Sequence, residues 1–172
     1  YLFNLLQNLF MTQSRLNLIA LLCLLALAVA LVSQHVFNMP PCAWCVLQRL
    51  ILLVIAGVCL LCNLAPGAIK GMMALLSFAL SMAGIVAAWY QHTVASEMVS
   101  CDRTFADIFM SRTTGLDGLA PWLFGIYATC MDAKVSVFGV EYVLWALLLF
   151  VVLLVLSGYA LFGKTQRTSR LG

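Results

Sequence analysis

The sequence predicts an all-α membrane protein, a four-transmembrane-helix bundle with one long loop outside the membrane that carries a short interfacial helix. Three observations predict it. Hydrophobic residues make up 65% of the chain and charged residues only 9%, against about 25% charged in an ordinary soluble domain. The apolar residues fall into separate blocks, each long enough to cross a ~30 Å hydrocarbon core, for which a helix needs roughly 20 residues. None of these blocks has the apolar/polar alternation over about ten residues that marks a transmembrane β-strand. A soluble domain, a single-span anchor and a barrel are thereby excluded, and residues 1–172 are read as a single integral membrane domain. The formal charge of +3 is too small and too dispersed for a nucleic-acid interface.

Residues 1–15 contain Met11 and end in Arg15, and the first ten read as an amphipathic lead-in or an extension ahead of an alternative start. Residues 16–32 form the first span, interrupted only by Asn17. The block lacks the small-residue cleavage site of a signal peptide, and more spans follow. Ser33-Gln34-His35 opens a short loop that closes at Pro40-Pro41. Residues 46–64 form the second span, its helix starting at Pro41 or Cys42, because proline suits a first turn in which its missing N–H is not needed.

A tight turn with Pro66 and Gly67 leads into the third span, residues 71–90. Its small residues Gly71, Ala74, Ser77, Ser81, Gly84, Ala87 and Ala88 recur at helical spacing and let a neighbouring helix approach closely. Residues 91–140 form a polar loop that carries five of the six acidic side chains. A loop of about fifty residues is usually functional or disordered. Phe105, Ile108 and Phe109 share one helical face, and Leu119-Ala120-Pro121-Trp122-Leu123-Phe124 is apolar and aromatic, as interfacial segments are. Residues 142–162 form the fourth span, followed by Lys164, Arg167 and Arg170.

Orientation follows from the basic residues near span ends. Arg15, Lys70, Lys164, Arg167 and Arg170 fall on one side, and the first loop on the other side has no Lys or Arg before Cys45. Both termini are therefore expected in the cytoplasm. This topology places Cys42, Cys45, Cys101 and Cys130 on the outer side, where disulfides persist, and leaves Cys23, Cys59 and Cys62 in spans or near the inner face. Cys59 and Cys62 read as small buried residues kept reduced.

Cys42-Ala43-Trp44-Cys45 is the stretch with chemistry in it. A Cys-x-x-Cys can be a redox dithiol, half a zinc site or an idle apolar pair. Here it sits at a helix start, whose partial positive charge favours a thiolate. Arg49 lies four residues after Cys45 and seven after Cys42, on the same face and about 6 Å deeper than Cys45. A cation just inside a bilayer is a functional candidate, although a long side chain can also snorkel to the headgroups. Cys101 and Cys130 lack a local motif. They can form a loop staple, worth on the order of 3 to 4 kcal/mol for about thirty residues, or a second exchangeable pair beside the first.

The chain resembles the disulfide bond formation protein B (DsbB) family. The likeness rests on the four-span plan, on Gln34-His35-Val36 leading into Pro41-Cys42-x-x-Cys45 with Arg49 beyond, and on Tyr90-Gln91-His92-Thr93. It continues through Cys101-Asp102, a second lone Cys130, and Phe138-Gly139-Val140-Glu141 before Trp145. The resemblance implies a membrane thiol-disulfide oxidoreductase of the bacterial inner membrane that supports protein folding by reoxidising a periplasmic DsbA-like, thioredoxin-fold oxidase. It implies that electrons pass from Cys101 and Cys130 to Cys42 and Cys45 and on to ubiquinone or menaquinone drawn from the membrane pool. It further implies that Arg49 stabilises negative charge on Cys45 and on the cofactor, with His92 and Trp145 at the cofactor site. Gln48 departs from the pattern, since family members often carry an acid there.

Three rivals differ in what they require. A vitamin K epoxide reductase-like oxidoreductase shares a four-helix core and a membrane-surface dithiol, but the paired loop cysteines and the lack of a second soluble domain favour the DsbB reading. A tetraspan scaffold would carry static outer disulfides. A zinc site would need four free thiolates in an oxidising compartment, so no metal is expected.

Overall fold

The computed structural model describes residues 2–97 and 104–162, with side chains for all of these except 2–11, 67 and 68. Cys101 and the basic residues Lys164, Arg167 and Arg170 lie outside the described residues.

Four long helices form the bundle: α1 (Leu2–His35), α2 (Ala43–Leu61), α3 (Gly67–Thr93) and, at the end of the chain, α7 (Tyr142–Phe162). Each is long and apolar enough to cross a membrane, and the protein is a multi-pass membrane protein as its composition predicts. Helix α1 begins well before the block at 16–32, because neither proline nor glycine interrupts residues 2–35. Helix α1 packs on α2, α2 on α3, α3 on α7, and α7 back on α1, which closes the ring.

The core of the ring is a contiguous cluster that includes Leu16, Ile19, Cys23, Ile55, Phe150 and Leu153, all fully buried. The outward faces keep apolar side chains such as Leu21, Val86 and Val155 exposed, as expected where the solvent is lipid. The small-residue stripe of α3 faces inward, with Ala74, Ser77, Ser81, Ala87 and Ala88 buried. At Gly84 the approach is closest: a Cβ there would run into the Phe150 ring of α7.

The long loop folds over the α2 end of the bundle that carries Cys42. A 3-10 turn (Ala95–Glu97) follows α3, and α4 (Phe105–Ile108) opens with a capping box between Thr104 and Asp107. The chain continues through a π-helical turn (Phe109–Thr114) into α5 (Leu116–Leu119) and α6 (Pro121–Phe124). Phe105 stacks on Phe109 with ring centroids 5.9 Å apart. Phe105, Leu119 and Trp122 stay exposed while Ala106, Met110 and Phe124 pack beside Cys42 and Val46. The loop thus has the two faces of an interfacial segment.

A two-stranded hairpin, β1 (Ser136–Val137) and β2 (Val140–Glu141), leads directly into α7. Its two turn residues, Phe138 (φ 54°) and Gly139 (φ 78°), both have positive φ, the signature of a type I′ turn. The indole N–H of Trp145 donates to the Val137 carbonyl at 3.3 Å and pins the hairpin to the helix.

Candidate redox site at the start of helix α2

Pro40-Pro41 cannot continue α1 or donate backbone N–H groups, so the chain enters α2 extended and Cys42 becomes its N-cap (φ −88°, ψ 171°). The Cys42 carbonyl accepts the first helical bond, from Val46 N–H at 3.0 Å. Cys42 and Cys45 therefore share one turn, and their sulfurs lie 3.2 Å apart. Cys42 is fully buried and Cys45 partly so.

The loop brings a third sulfur to this pair. The Tyr127 N–H donates to the Pro41 carbonyl at 3.1 Å, and the next turn is closed by Thr129 bonded to Asp132. Between them Cys130 Sγ comes to 2.8 Å from Cys42 Sγ. The row Cys130, Cys42, Cys45 has Cys42 in contact with both of its neighbours, so Cys42 is the one sulfur that can pair with either. The neighbouring Cys130 thiol, together with burial, pushes the Cys42 thiol up to about 12, while the contact with Cys45 works in the other direction. Cys42 in the reduced protein is a thiol, not a thiolate, at neutral pH.

One turn further in, Arg49 is 6% exposed. Its guanidinium donates to Gln34 Oε1 at 2.6 Å, to the Leu123 carbonyl at 3.0 Å and to the Ala30 carbonyl at 3.2 Å. All three acceptors are neutral, so among the described residues the cation is held in place without a neutralising carboxylate. Beside it, Gln48 Nε2 donates to Gln91 Oε1 at 2.8 Å, and Gln91 Nε2 donates to Cys45 Sγ at 3.1 Å.

These groups form the polar end of a cavity of about 350 Å³. Cys45, Gln48 and Arg49 of α2 face Gln91 of α3, and Ala26, Val29 and Ala30 of α1 face the hairpin and α7. The remaining wall is mostly apolar, from Leu52, Val137, Phe138 and Leu149, with the Tyr142 phenol of α7 as a further polar group. The volume falls in the range of small-molecule pockets, and the mix of apolar wall with a few convergent polar groups is typical of them.

Of the residues singled out in the sequence, Cys45, Arg49 and Trp145 line this cavity, and Cys42 and Cys130 adjoin it through Cys45. His92 turns elsewhere: its Nδ1 lies 2.7 Å from Glu141 Oε2, in a cluster where Lys134 bonds Glu97 at 3.0 Å and approaches Glu141 at 3.5 Å. Cys59 and Cys62 are fully buried against Ser77 and Met73, away from this site. Sequence reasoning gave no role to Gln34 or Gln91 and treated Gln48 only as a departure. The available signal was polarity itself, since an amide close to an apolar span is expensive unless it has a task.

The profile of the family described as "Disulfide bond formation protein DsbB" matches residues 12–160. Proteins named "Disulfide bond formation protein B" are similar along most of their length. The one from Herminiimonas arsenicoxydans is 33% identical over 147 residues, covering 85% of this chain and 92% of its own. That from Chromohalobacter salexigens is 32% identical over 79% of this chain and 82% of its own. That from Polaromonas naphthalenivorans is 31% identical over 80% and 84%, respectively.

Proposed function

The chain belongs to the disulfide bond formation protein DsbB family, and from that premise we propose that it oxidises a periplasmic DsbA-like dithiol and passes two electrons to a membrane quinone. The observation that carries the reading is the row of three sulfurs ending at a cavity with an arginine, bonded to neutral acceptors, in its wall.

The thiol chemistry balances as a relay of exchanges. A partner thiolate attacks a Cys101–Cys130 disulfide at Cys101, forming a mixed disulfide and releasing Cys130 as thiolate. Cys130 attacks a Cys42–Cys45 disulfide at Cys42, forming Cys42–Cys130 and releasing Cys45 as thiolate. The partner's second thiol then resolves the mixed disulfide, leaving the partner oxidised and Cys101 reduced. Cys101 attacks Cys130 to restore its own pair, which frees Cys42 to close again on Cys45 as two electrons leave the protein.

The cavity suits a quinone in size and in donor set: an apolar wall for the tail and ring, and Arg49 with the Gln48 and Gln91 amides at the sulfur end. A quinone bound there supplies a two-electron, two-proton acceptor. Arg49 favours negative charge both on Cys45 and on an oxygen beside it, as a fixed donor does in an oxyanion hole. Trp145 holds the hairpin wall in place through Val137. His92, hydrogen-bonded to Glu141, can exchange protons near the rim. In this reading the bundle lies in the bacterial inner membrane with both termini cytoplasmic and the four relay cysteines periplasmic.

The test is anaerobic mixing of purified protein, quinone and a reduced DsbA-like partner while following quinone absorbance. Stoichiometric quinone reduction is expected, and it is lost in Cys42→Ser and Cys45→Ser. Quinone that stays oxidised with the wild-type protein refutes the reading.

A further inference from the structure

We propose that Gln91 is a catalytic residue, the N–H donor that holds the Cys45 sulfur in its reactive form, and that Gln48 is the positioning residue that sets the direction of that donation. The inference deepens the reading of this site as a thiol relay and rests on it.

Cys45 and Gln48 lie three residues apart on α2 and so share a face. Gln91, at the other side of the α2–α3 contact, reaches both. Gln48 and Gln91 are each 6% exposed in a bundle whose interior is otherwise mostly apolar. A primary amide has one acceptor oxygen and one donor nitrogen. The Gln91 oxygen is occupied by the Gln48 N–H at 2.8 Å, and this leaves its nitrogen to face Cys45 Sγ at 3.1 Å. Turning the Gln91 amide over would set two N–H groups against each other at Gln48 and put an oxygen against the sulfur. With Gln48 presenting its N–H, the sulfur meets the nitrogen end of Gln91.

A donor N–H stabilises a thiolate more than a thiol, because the anion is the better acceptor. Arg49 gives Cys45 a nearby charge, but its guanidinium donates to Gln34 and two carbonyls, and no bond to Cys45 is among them. Gln91 supplies a direct hydrogen bond to the reacting atom. Because both amides are neutral, they orient the sulfur without cancelling the arginine.

The test is the alkylation rate of Cys45 by N-ethylmaleimide in the fully reduced, quinone-free protein at neutral pH, resolved by peptide mass mapping. Gln91→Leu removes the donor, and the rate is expected to fall about tenfold, the loss of one hydrogen bond to a charged group. Gln91→Glu still accepts from Gln48 but offers the sulfur no donor, so it is expected to be at least as slow. Gln48→Leu leaves the donor but frees its direction, and an intermediate rate is expected. A packing role for Gln91 predicts instead that Gln91→Glu alkylates like the wild type, and that result overturns the proposal. Wild-type rates in Gln91→Leu overturn it as well. The readout needs no quinone, so a protein that fails to reduce quinone but shows this order of rates refutes the electron-acceptor reading and leaves the role of Gln91 standing.

Discussion

The sulfurs of Cys42 and Cys130 lie 2.8 Å apart although 88 positions separate them in the chain. The contact joins the start of a transmembrane helix to a turn in the long loop. It makes Cys42 the shared partner of a local pair and a distant one.

That contact has a titration consequence. The reduced Cys42 thiol is pushed up to about 12, first by Cys130 and also by burial. A folded thiol that keeps its proton beyond the ordinary 9.0 stabilises the fold below about pH 9, and the contribution is lost as pH rises toward about 12. Thermal denaturation of the reduced protein should therefore show a melting temperature that falls across this window. Cys130→Ala removes the first cause, and alkylation of Cys42 at pH about 9 is expected to speed up, because a thiol of lower pKa carries more thiolate at that pH.

The Arg49 guanidinium is fixed by a fork of three bonds that a single ammonium cannot reproduce. Quinone titration should show Arg49→Ala weakening affinity by at least about tenfold, a loss of ~1.4 kcal/mol or more from one charge-assisted contact, with Arg49→Lys in between. Gln34→Leu, which removes the 2.6 Å bond, should weaken binding in the same direction. Equal affinity in wild type and Arg49→Ala would remove the electrostatic role.

Close approach at Gly84 predicts a stability effect unrelated to redox chemistry. Gly84→Ala drives a methyl into the buried Phe150 ring, and overpacking of this kind destabilises by about 1 to 3 kcal/mol. Thermal unfolding in detergent should register the loss, and Phe150→Leu in the same chain should recover part of it.

Phe138 holds a left-handed backbone at φ 54° with its side chain 93% exposed. That conformation costs an L-residue roughly 1 to 2 kcal/mol, and asparagine tolerates it better. Phe138→Asn is expected to raise the melting temperature, whereas Gly139→Ala, at φ 78°, is expected to lower it. Because Phe138 also lines the cavity, a stabilised Phe138→Asn with weakened quinone affinity would show that its ring contributes to binding.

Much of the fold was legible because membrane spans announce themselves by length and apolarity. Periodicity also put Cys42, Cys45 and Arg49 on one face of α2, and the small-residue stripe marked α3 as open to a close neighbour, which the structure identifies as α7 at Gly84. The remainder of the site depended on contacts that have no period. Gln34, Gln91 and Leu123 reach α2 from three other segments. His92 reads in sequence like a residue at the cofactor, and its partner Glu141, 2.7 Å away, comes from the hairpin 49 positions further on.

Four membrane helices, a dithiol at the start of one of them and a cation a turn beyond it are written into the chain itself, since hydrophobic length and the 3.6-residue repeat act locally. The meeting of Cys130 with Cys42, and the glutamine pair that aims a donor at Cys45, arise only once the bundle is packed. Those contacts depend on how a loop closes over the bundle end and on which end of an amide faces its neighbour, and both are settled between segments far apart in the chain.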